Sequence, residues 1–222
     1  MGVDAGENNG YYSAMTPALY LASTSPRRRE LLAQIGVSFQ PLTVDVPETL
    51  RPNEVPELFV SRLALAKARA GLDQLGPGDN TPVLGADTVV VIEGEVLGKP
   101  RDRADALAMF ARLSGQTHHV MSGVAVVNAE GEASSRLSVS SVTFRPVSEA
   151  ERARYWDSGE SADKAGGYGI QGLGAIFVER LEGSYSGVMG LPLFETAELL
   201  GQFGIDCLAR PAEFQENNKE TP

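Results

Sequence analysis

A long apolar segment that turns back on itself limits the folds open to this chain. Residues 82–98, "PVLGADTVVVIEGEVLG", predict a strand, a Glu93-Gly94 turn and a returning strand, which is the pattern of a β-hairpin. Residues 119–147 predict a second hairpin, because apolar and polar side chains alternate along its second arm. Antiparallel neighbours of this kind argue against a wholly parallel, doubly wound sheet.

Predicted helices separate these strands. Residues 18–22 form a short buried strand, and a helix follows with Ser25 as its N-cap and Pro26 at its first position. A second helix over residues 54–75 has a predicted apolar face of four side chains: Leu58, Phe59, Leu63 and Ala66. Further helices are expected at 103–113, at 148–157 and after Pro192, and further strands at 37–45 and 175–181. The predicted fold is α/β, with a mixed, partly antiparallel sheet flanked by helices in two lobes around a cleft.

The ends of the chain differ in composition from its middle. We expect residues 1–17 to be a flexible N-terminal extension, residues 18–209 to be a single domain, and residues 210–222 to be a polar tail. The extension lacks the basic and apolar segments of a signal peptide. No apolar stretch approaches the roughly 20 residues of a membrane helix. The single cysteine, Cys207, suits a reducing compartment, so we expect a cytoplasmic protein that binds no membrane.

Three consecutive arginines stand out in a chain whose formal net charge is −10. That charge argues against nucleic acid as a partner. Arg27, Arg28 and Arg29 lie on the first turn of the first helix, where the helix dipole and free N–H groups already favour an anion. Cations there are unfavourable unless an anion is bound, so the pattern predicts a phosphate-rich ligand.

Other candidate residues are ambiguous when taken singly. Asp87 is placed immediately before a buried strand, where a carboxylate is costly unless it serves a purpose, although it could instead cap backbone N–H groups in a turn. Gln171 lies in the glycine-rich segment 163–172, "DKAGGYGIQG", and its amide could read a base edge, a surface loop being the alternative. Solvent exposure alone would explain four further charged residues: Glu48, Lys67, Lys99 and Lys164.

The two histidines do not form a metal site. His118 and His119 are adjacent in a predicted strand and therefore point to opposite faces of the sheet. The sequence offers no cysteine–histidine cluster for zinc. Any metal should be a hard cation held by carboxylates and phosphates, such as Mg²⁺ or Mn²⁺.

Taken together, the ordered motifs resemble one family. They are "LASTSPRRRELL", "LGADTVVV", "LGKPRD", "LSGQTHHVMSGV", and "DKAGGYGIQG" followed by "GLPLFET". Over residues 19–203 they resemble the Maf family of nucleoside triphosphate pyrophosphatases, long associated with septum formation. By position, the resemblance implies a phosphate pocket of six residues: Ser23, Arg27, Arg28, Lys67, Lys99 and Lys164. It also implies that Asp87 is the proton acceptor, and that Glu48 and Asp87 are the ligands of a divalent metal, Mg²⁺ or Mn²⁺.

The resemblance also predicts the substrate. The residues at the family's selectivity positions, Arg27, Thr88 and Gln171, look like the dTTP/UTP branch and not the 7-methyl-GTP branch. Hydrolysis would yield the nucleoside monophosphate and pyrophosphate, and modified pyrimidine nucleotides would also be candidate substrates. Two alternatives stay open: a nucleotide-sensing regulator of septum formation without significant turnover, and a pyrophosphatase for altered purine triphosphates. Analogy with the family favours a homodimer.

Overall fold

The computed structural model describes residues 17–209, which form a seven-stranded mixed sheet in the order β2-β1-β3-β5-β6-β7, with β4 paired to β3. The strands are β1 (Leu19–Ala22), β2 (Phe39–Leu42), β3 (Val83–Ile92), β4 (Glu95–Leu97), β5 (Thr117–Val127), β6 (Ala133–Phe144) and β7 (Val178–Glu182). β1 is parallel to β2 and β3, and every other pairing is antiparallel. The predicted mixed sheet and both predicted hairpins are confirmed. The predicted tail 210–222, and all but the last residue of the predicted extension 1–17, lie outside the described residues.

Helices cover the sheet. They are α1 (Pro26–Gln34), α2 (Pro56–Leu72), α3 (Arg103–Leu113), α4 (Glu149–Asp157), α5 (Tyr185–Met189) and α6 (Leu193–Gln202). Side chains fix several of their starts: Asp102 caps α3, and Ser148 forms a capping box with Glu151 at α4. Within residues 17–209, no helix is long and apolar enough to cross a membrane.

Three sequence expectations about local structure were wrong. Leu58 does not join the buried face of α2 and is 64% exposed, because the face that packs on the sheet passes through Phe59 and Leu63. Asp87 lies inside β3 and not before it. The last strand begins at Val178, because residues 173–177 form a 3₁₀ turn.

Two further features differ from the sequence reading. Ser25 occupies the N-cap position of α1, but its side chain accepts no capping hydrogen bond. The hydroxyl of Ser23 instead accepts a hydrogen bond from the backbone N–H of Ser25. α5 was not predicted, since five residues are too few to show a helical period.

Glycines allow α2 to lie unusually close to the sheet. A Cβ on Gly85 would overlap the backbone of Ala64 and Ala68, and a Cβ on Gly123 would lie 2.8 Å from the carbonyl oxygen of Val60. α2 therefore rests its backbone directly on β3 and β5. Side chains two apart on a strand share a face, so Asp87 projects to the same side as Gly85, towards α2.

A cluster of aromatic rings packs the glycine-rich segment, residues 163–172, against the sheet at β5 and β6. The rings belong to Phe110, Phe144, Tyr155, Tyr168 and Phe177, and their paired centroids are 4.8 to 6.2 Å apart. Within this cluster, Nε2 of the buried His118 lies 2.8 Å from the hydroxyl of Tyr168. Burial lowers the pKa of His118 to about 4, so the ring is neutral at pH 7 and anchors the segment as a hydrogen-bonding group.

The contact between α2 and β3 can be tested by adding one methyl group. We expect Gly85→Ala to lower the free energy of unfolding by about 3 kcal/mol, because overpacking against backbone cannot be relieved by side-chain rotation. Gly201→Ala in α6 is the matched control, since a Cβ there meets no atom within 4 Å and should be neutral or slightly stabilising. Chemical denaturation measures both, and equal stability of the two variants would contradict the close packing.

Candidate active site

A cavity of about 610 Å³ opens where the short strand β1 ends and β3 continues. β1 pairs with β3 only at Val83 and Leu84, so the following part of β3 is accessible from the gap beyond Ala22. Its walls come from the first turn of α1, from α2 and β3, and from the glycine-rich segment. All ten residues that the sequence singled out line this one cavity: Ser23, Arg27, Arg28, Glu48, Lys67, Asp87, Thr88, Lys99, Lys164 and Gln171.

Arg28 is held in the cavity by neutral acceptors alone. Its Nε donates to the carbonyl oxygen of Gly190 at 2.8 Å, its Nη1 approaches the Ser23 hydroxyl at 3.4 Å, and its Nη2 approaches the Thr88 hydroxyl at 3.3 Å. Burial lowers the pKa of this guanidinium, and the charge of Asp87 opposes that shift. Within residues 17–209, Arg28 forms no ion pair. A guanidinium has five N–H donors, so two remain for a ligand.

Lys67 of α2 joins two carboxylates on the opposite wall. Its Nζ lies 2.7 Å from Oδ1 of Asp87 and 2.5 Å from Oε1 of Glu48. Burial raises the pKa of the Asp87 carboxyl, and the charges of Lys67 and Arg28 offset this only in part. Burial alone would also raise the pKa of Glu48, but the Lys67 hydrogen bond and the charges of Lys99 and Arg28 bring it below its ordinary value.

These two carboxylates are the candidate metal ligands. Their oxygens suit a hard divalent cation. In the described part of the chain, no group of three or more histidine, cysteine, aspartate or glutamate side chains could hold a metal. Two carboxylates supply only part of a coordination shell, and Mg²⁺ is commonly bound by one or two carboxylates together with waters and substrate phosphates.

A carboxylate that the sequence analysis did not single out connects two further cationic groups of the cavity. Asp163 lies 3.1 Å from Nη1 of Arg27 and 2.6 Å from Nζ of Lys164. It thereby links the first turn of α1 to the glycine-rich segment. Its side chain is 62% exposed, whereas those of Arg27 and Lys164 are largely covered.

The remaining predicted residues lie at different depths. Thr88 contacts the buried Ser122, which was also not singled out from the sequence, at 2.8 Å between the hydroxyl oxygens. Gln171 and Lys99 are exposed at the rim of the cavity. Ser122 had one weak signal, a hydroxyl inside the apolar run "VMSGVAVV". Asp163 had none, because a charged residue beside a lysine in a loop is ordinary.

The Asp163 bridge predicts how the cavity responds to an anion. We expect Asp163→Asn to bind inorganic pyrophosphate about twofold to fivefold more tightly, since it removes a carboxylate that competes for two cations in a partly exposed pair. Asp157→Asn is the control, because Asp157 pairs with Arg103 and lies outside the cavity lining. Titration calorimetry gives the dissociation constants, and unchanged or weaker binding by the Asp163 variant would contradict the competition.

Comparison with known proteins gives close relatives over most of the chain. A dTTP/UTP pyrophosphatase of Alkalilimnicola ehrlichii is 58% identical over 193 residues, 86% of this chain and 95% of the relative. A dTTP/UTP pyrophosphatase of Saccharophagus degradans is 58% identical over 188 residues, 84% of this chain and 89% of the relative. A nucleoside triphosphate pyrophosphatase of Xylella fastidiosa is 52% identical over 185 residues, 83% of this chain and 98% of the relative.

A structural neighbour is more distant. A nucleoside-triphosphatase, or dITP/XTP pyrophosphatase, of Mycobacterium abscessus is 20% identical with a TM-score of 0.40, over 57% of this chain and 73% of that chain. The family model described as Maf-like protein matches residues 18–203. With that match, and with relatives more than half identical over nearly their whole length, the chain belongs to the Maf family.

Proposed function

We propose that this chain is a nucleoside triphosphate pyrophosphatase that hydrolyses dTTP and UTP to the nucleoside monophosphate and pyrophosphate. The observation that carries the proposal is the partly buried guanidinium of Arg28, which forms no ion pair within residues 17–209. A charge partly withdrawn from water with no carboxylate in contact is unfavourable, and a bound phosphate would supply a direct partner. The names of the relatives, dTTP/UTP pyrophosphatases at 58% identity, support the same substrates.

The cationic groups around the cavity match a triphosphate. Arg27 and Arg28 project from the first turn of α1, where the free N–H groups of the helix also favour an anion. Lys67, Lys99 and Lys164 face the same space from α2, from the loop after β4, and from the glycine-rich segment. Phosphoryl chemistry relies mainly on such charge stabilisation and on positioning.

Asp87 is the proposed proton acceptor. It is buried beside Lys67, and burial raises its pKa towards the range useful for a base, while the nearby cations keep the ionised form accessible. Asp87 would orient a water molecule and take its proton as the water oxygen bonds to the α-phosphorus. The bond from that phosphorus to the α,β-bridging oxygen breaks, and pyrophosphate leaves with the electron pair.

A divalent cation is the proposed cofactor, Mg²⁺ or Mn²⁺. Glu48 and Asp87 would hold it, since both present carboxylate oxygens beside the cluster of cations and share Lys67 as a partner. When bound, the ion would neutralise developing charge on phosphate oxygens. Lys67 would keep the two carboxylates oriented for it.

Gln171 is the proposed reader of the base. Uracil and thymine present an N3–H donor beside a carbonyl acceptor, and one carboxamide can pair with both. Cytosine reverses both polarities, so the same amide meets a donor with a donor and an acceptor with an acceptor, which is unfavourable once the bound base covers the pair from water. The exposed position of Gln171 at the cavity rim suits contact with a ligand.

A panel of nucleoside triphosphates with Mg²⁺ or Mn²⁺ and pyrophosphate detection tests the substrate. We expect dTTP and UTP to be hydrolysed faster than CTP, ATP and GTP, and Gln171→Glu to lose more activity on dTTP and UTP than on CTP because it lacks the amide donor. Equal rates on UTP and CTP in the unmodified protein would contradict the role of Gln171. Tight dTTP binding without pyrophosphate release would favour a nucleotide-sensing regulator. Faster turnover of altered purine triphosphates would favour a pyrophosphatase for those nucleotides.

Asp87→Asn tests the chemistry separately from binding. We expect hydrolysis to fall about 100-fold or more, because the amide keeps the shape of the carboxylate and loses its basicity. Affinity for dTTP, measured by calorimetry, should change little. Turnover near the unmodified rate would remove Asp87 from its role as base, and a parallel loss of metal-dependent binding would show that holding the cation is its main role.

A further inference from the structure

Ser122 connects two parts of the site without reaching the substrate pocket itself. It lies on β5 directly opposite Thr88 of β3 in the sheet register, and it is only 1% exposed. Its Oγ is 2.6 Å from the carbonyl oxygen of Gly187 and 2.8 Å from Oγ1 of Thr88. Ser122 is absent from the residues that line the cavity.

The direction of these hydrogen bonds follows from the donors available. A carbonyl oxygen can only accept, so the single hydroxyl proton of Ser122 must point to Gly187. Towards Thr88, Ser122 can therefore only accept, and the hydroxyl of Thr88 donates to it. The lone pairs of Thr88 are then free to accept from Nη2 of Arg28 at 3.3 Å. The chain of hydrogen bonds runs in one direction, from Arg28 through Thr88 and Ser122 to Gly187.

A second hydrogen bond closes this chain into a ring. Nε of Arg28 donates to the carbonyl oxygen of Gly190, which ends α5. The backbone N–H of Gly190 bonds to the carbonyl oxygens of Ser186 and Gly187, so both acceptors belong to one tight turn. Gly190 has a φ of 122°, which a residue with a side chain rarely adopts.

We propose that Ser122 is a positioning residue that fixes the Thr88 hydroxyl and thereby aims the free N–H donors of Arg28 at the phosphates of the substrate. The inference rests on the proposed function, because it assigns Arg28 to the triphosphate. It adds a restriction on Thr88: its only proton is committed to Ser122, so it offers the cavity an acceptor and no donor.

Without the Ser122 hydroxyl, Thr88 would have to donate its proton to a more distant acceptor. The other acceptor near the Thr88 hydroxyl is the carbonyl oxygen of Gly190 at 3.4 Å, which already accepts from Nε of Arg28. A Thr88 that turns to this carbonyl competes with Arg28 for it and no longer presents the same lone pair to Nη2. The guanidinium then loses part of its support on two of its three nitrogens.

The test compares Ser122→Ala with Ser138→Ala. Ser138 pairs with Ser122 in the register of β5 and β6, is also buried, and does not line the cavity. We expect Ser122→Ala to raise KM for dTTP and the dissociation constant for inorganic pyrophosphate by about threefold to tenfold, with a smaller change in kcat. Ser138→Ala should leave both constants unchanged. Thermal unfolding of each variant shows whether the fold is retained, and Ser122→Cys, with a similar volume and a weaker donor, serves if the alanine variant does not fold.

A double-mutant cycle shows whether Ser122 acts through Thr88. In a Thr88→Val background, which has no hydroxyl to orient, adding Ser122→Ala should raise KM and the pyrophosphate dissociation constant no further. If the two substitutions raise these constants independently, so that their fold-changes multiply, Ser122 does not act through Thr88 and the proposal is overturned. Equal effects of the Ser122 and Ser138 variants would also overturn it. If the unmodified protein releases no pyrophosphate from dTTP or UTP, the proposed function fails. The dissociation constants for inorganic pyrophosphate still show whether Ser122 positions Arg28 through Thr88.

Discussion

The close contact between the backbone of α2 and the sheet is the constraint on which the rest of the site depends. Gly85 and Gly123 place no side chain between the two layers, so the backbone of α2 lies closer to the sheet than it could if these residues carried a Cβ. Because Asp87 follows Gly85 on the same face of β3, and Lys67 precedes Ala68 on α2, this contact sets the 2.7 Å distance between Lys67 and Asp87. A core packing requirement thus fixes the distance between two charged groups.

The two faces of β3 carry different electrostatic environments. On the face towards α2, Asp87 and Glu48 share the charge of Lys67. On the other face, Thr88 and a turn of backbone carbonyls hold Arg28 with neutral acceptors only. Adjacent residues of one strand therefore serve a carboxylate-rich wall and a cationic wall. A ligand with negative charge and a metal ion can bridge these walls, whereas a neutral ligand would leave the charge of Arg28 unmatched.

The sequence predicted what depends on local patterns, and missed what depends on contacts between distant segments. Pro26 and the apolar run before it predict the strand and helix that present Arg28, and the turn at Glu93 predicts the β3–β4 hairpin. Leu58 was misplaced because its apolarity alone does not define which face of α2 meets the sheet. Ser122 could not be assigned, since its partners come from other elements. The roles of the ten cavity residues remain predictions, although the fold brings all ten together.

The Asp163 bridge makes ligand binding an exchange of ions. In this structure a carboxylate of the chain already pairs with both Arg27 and Lys164, so a phosphate that binds these cations competes with it. Binding would then change the net charge at that end of the cavity by less than a count of the two cations suggests, and we expect a correspondingly weaker dependence of phosphate affinity on ionic strength. Asp163 and Gln171 belong to one glycine-rich segment. A phosphate that competes with Asp163 would therefore act on the segment that also carries Gln171, the proposed reader of the base, and phosphate binding would be coupled to the position of that amide.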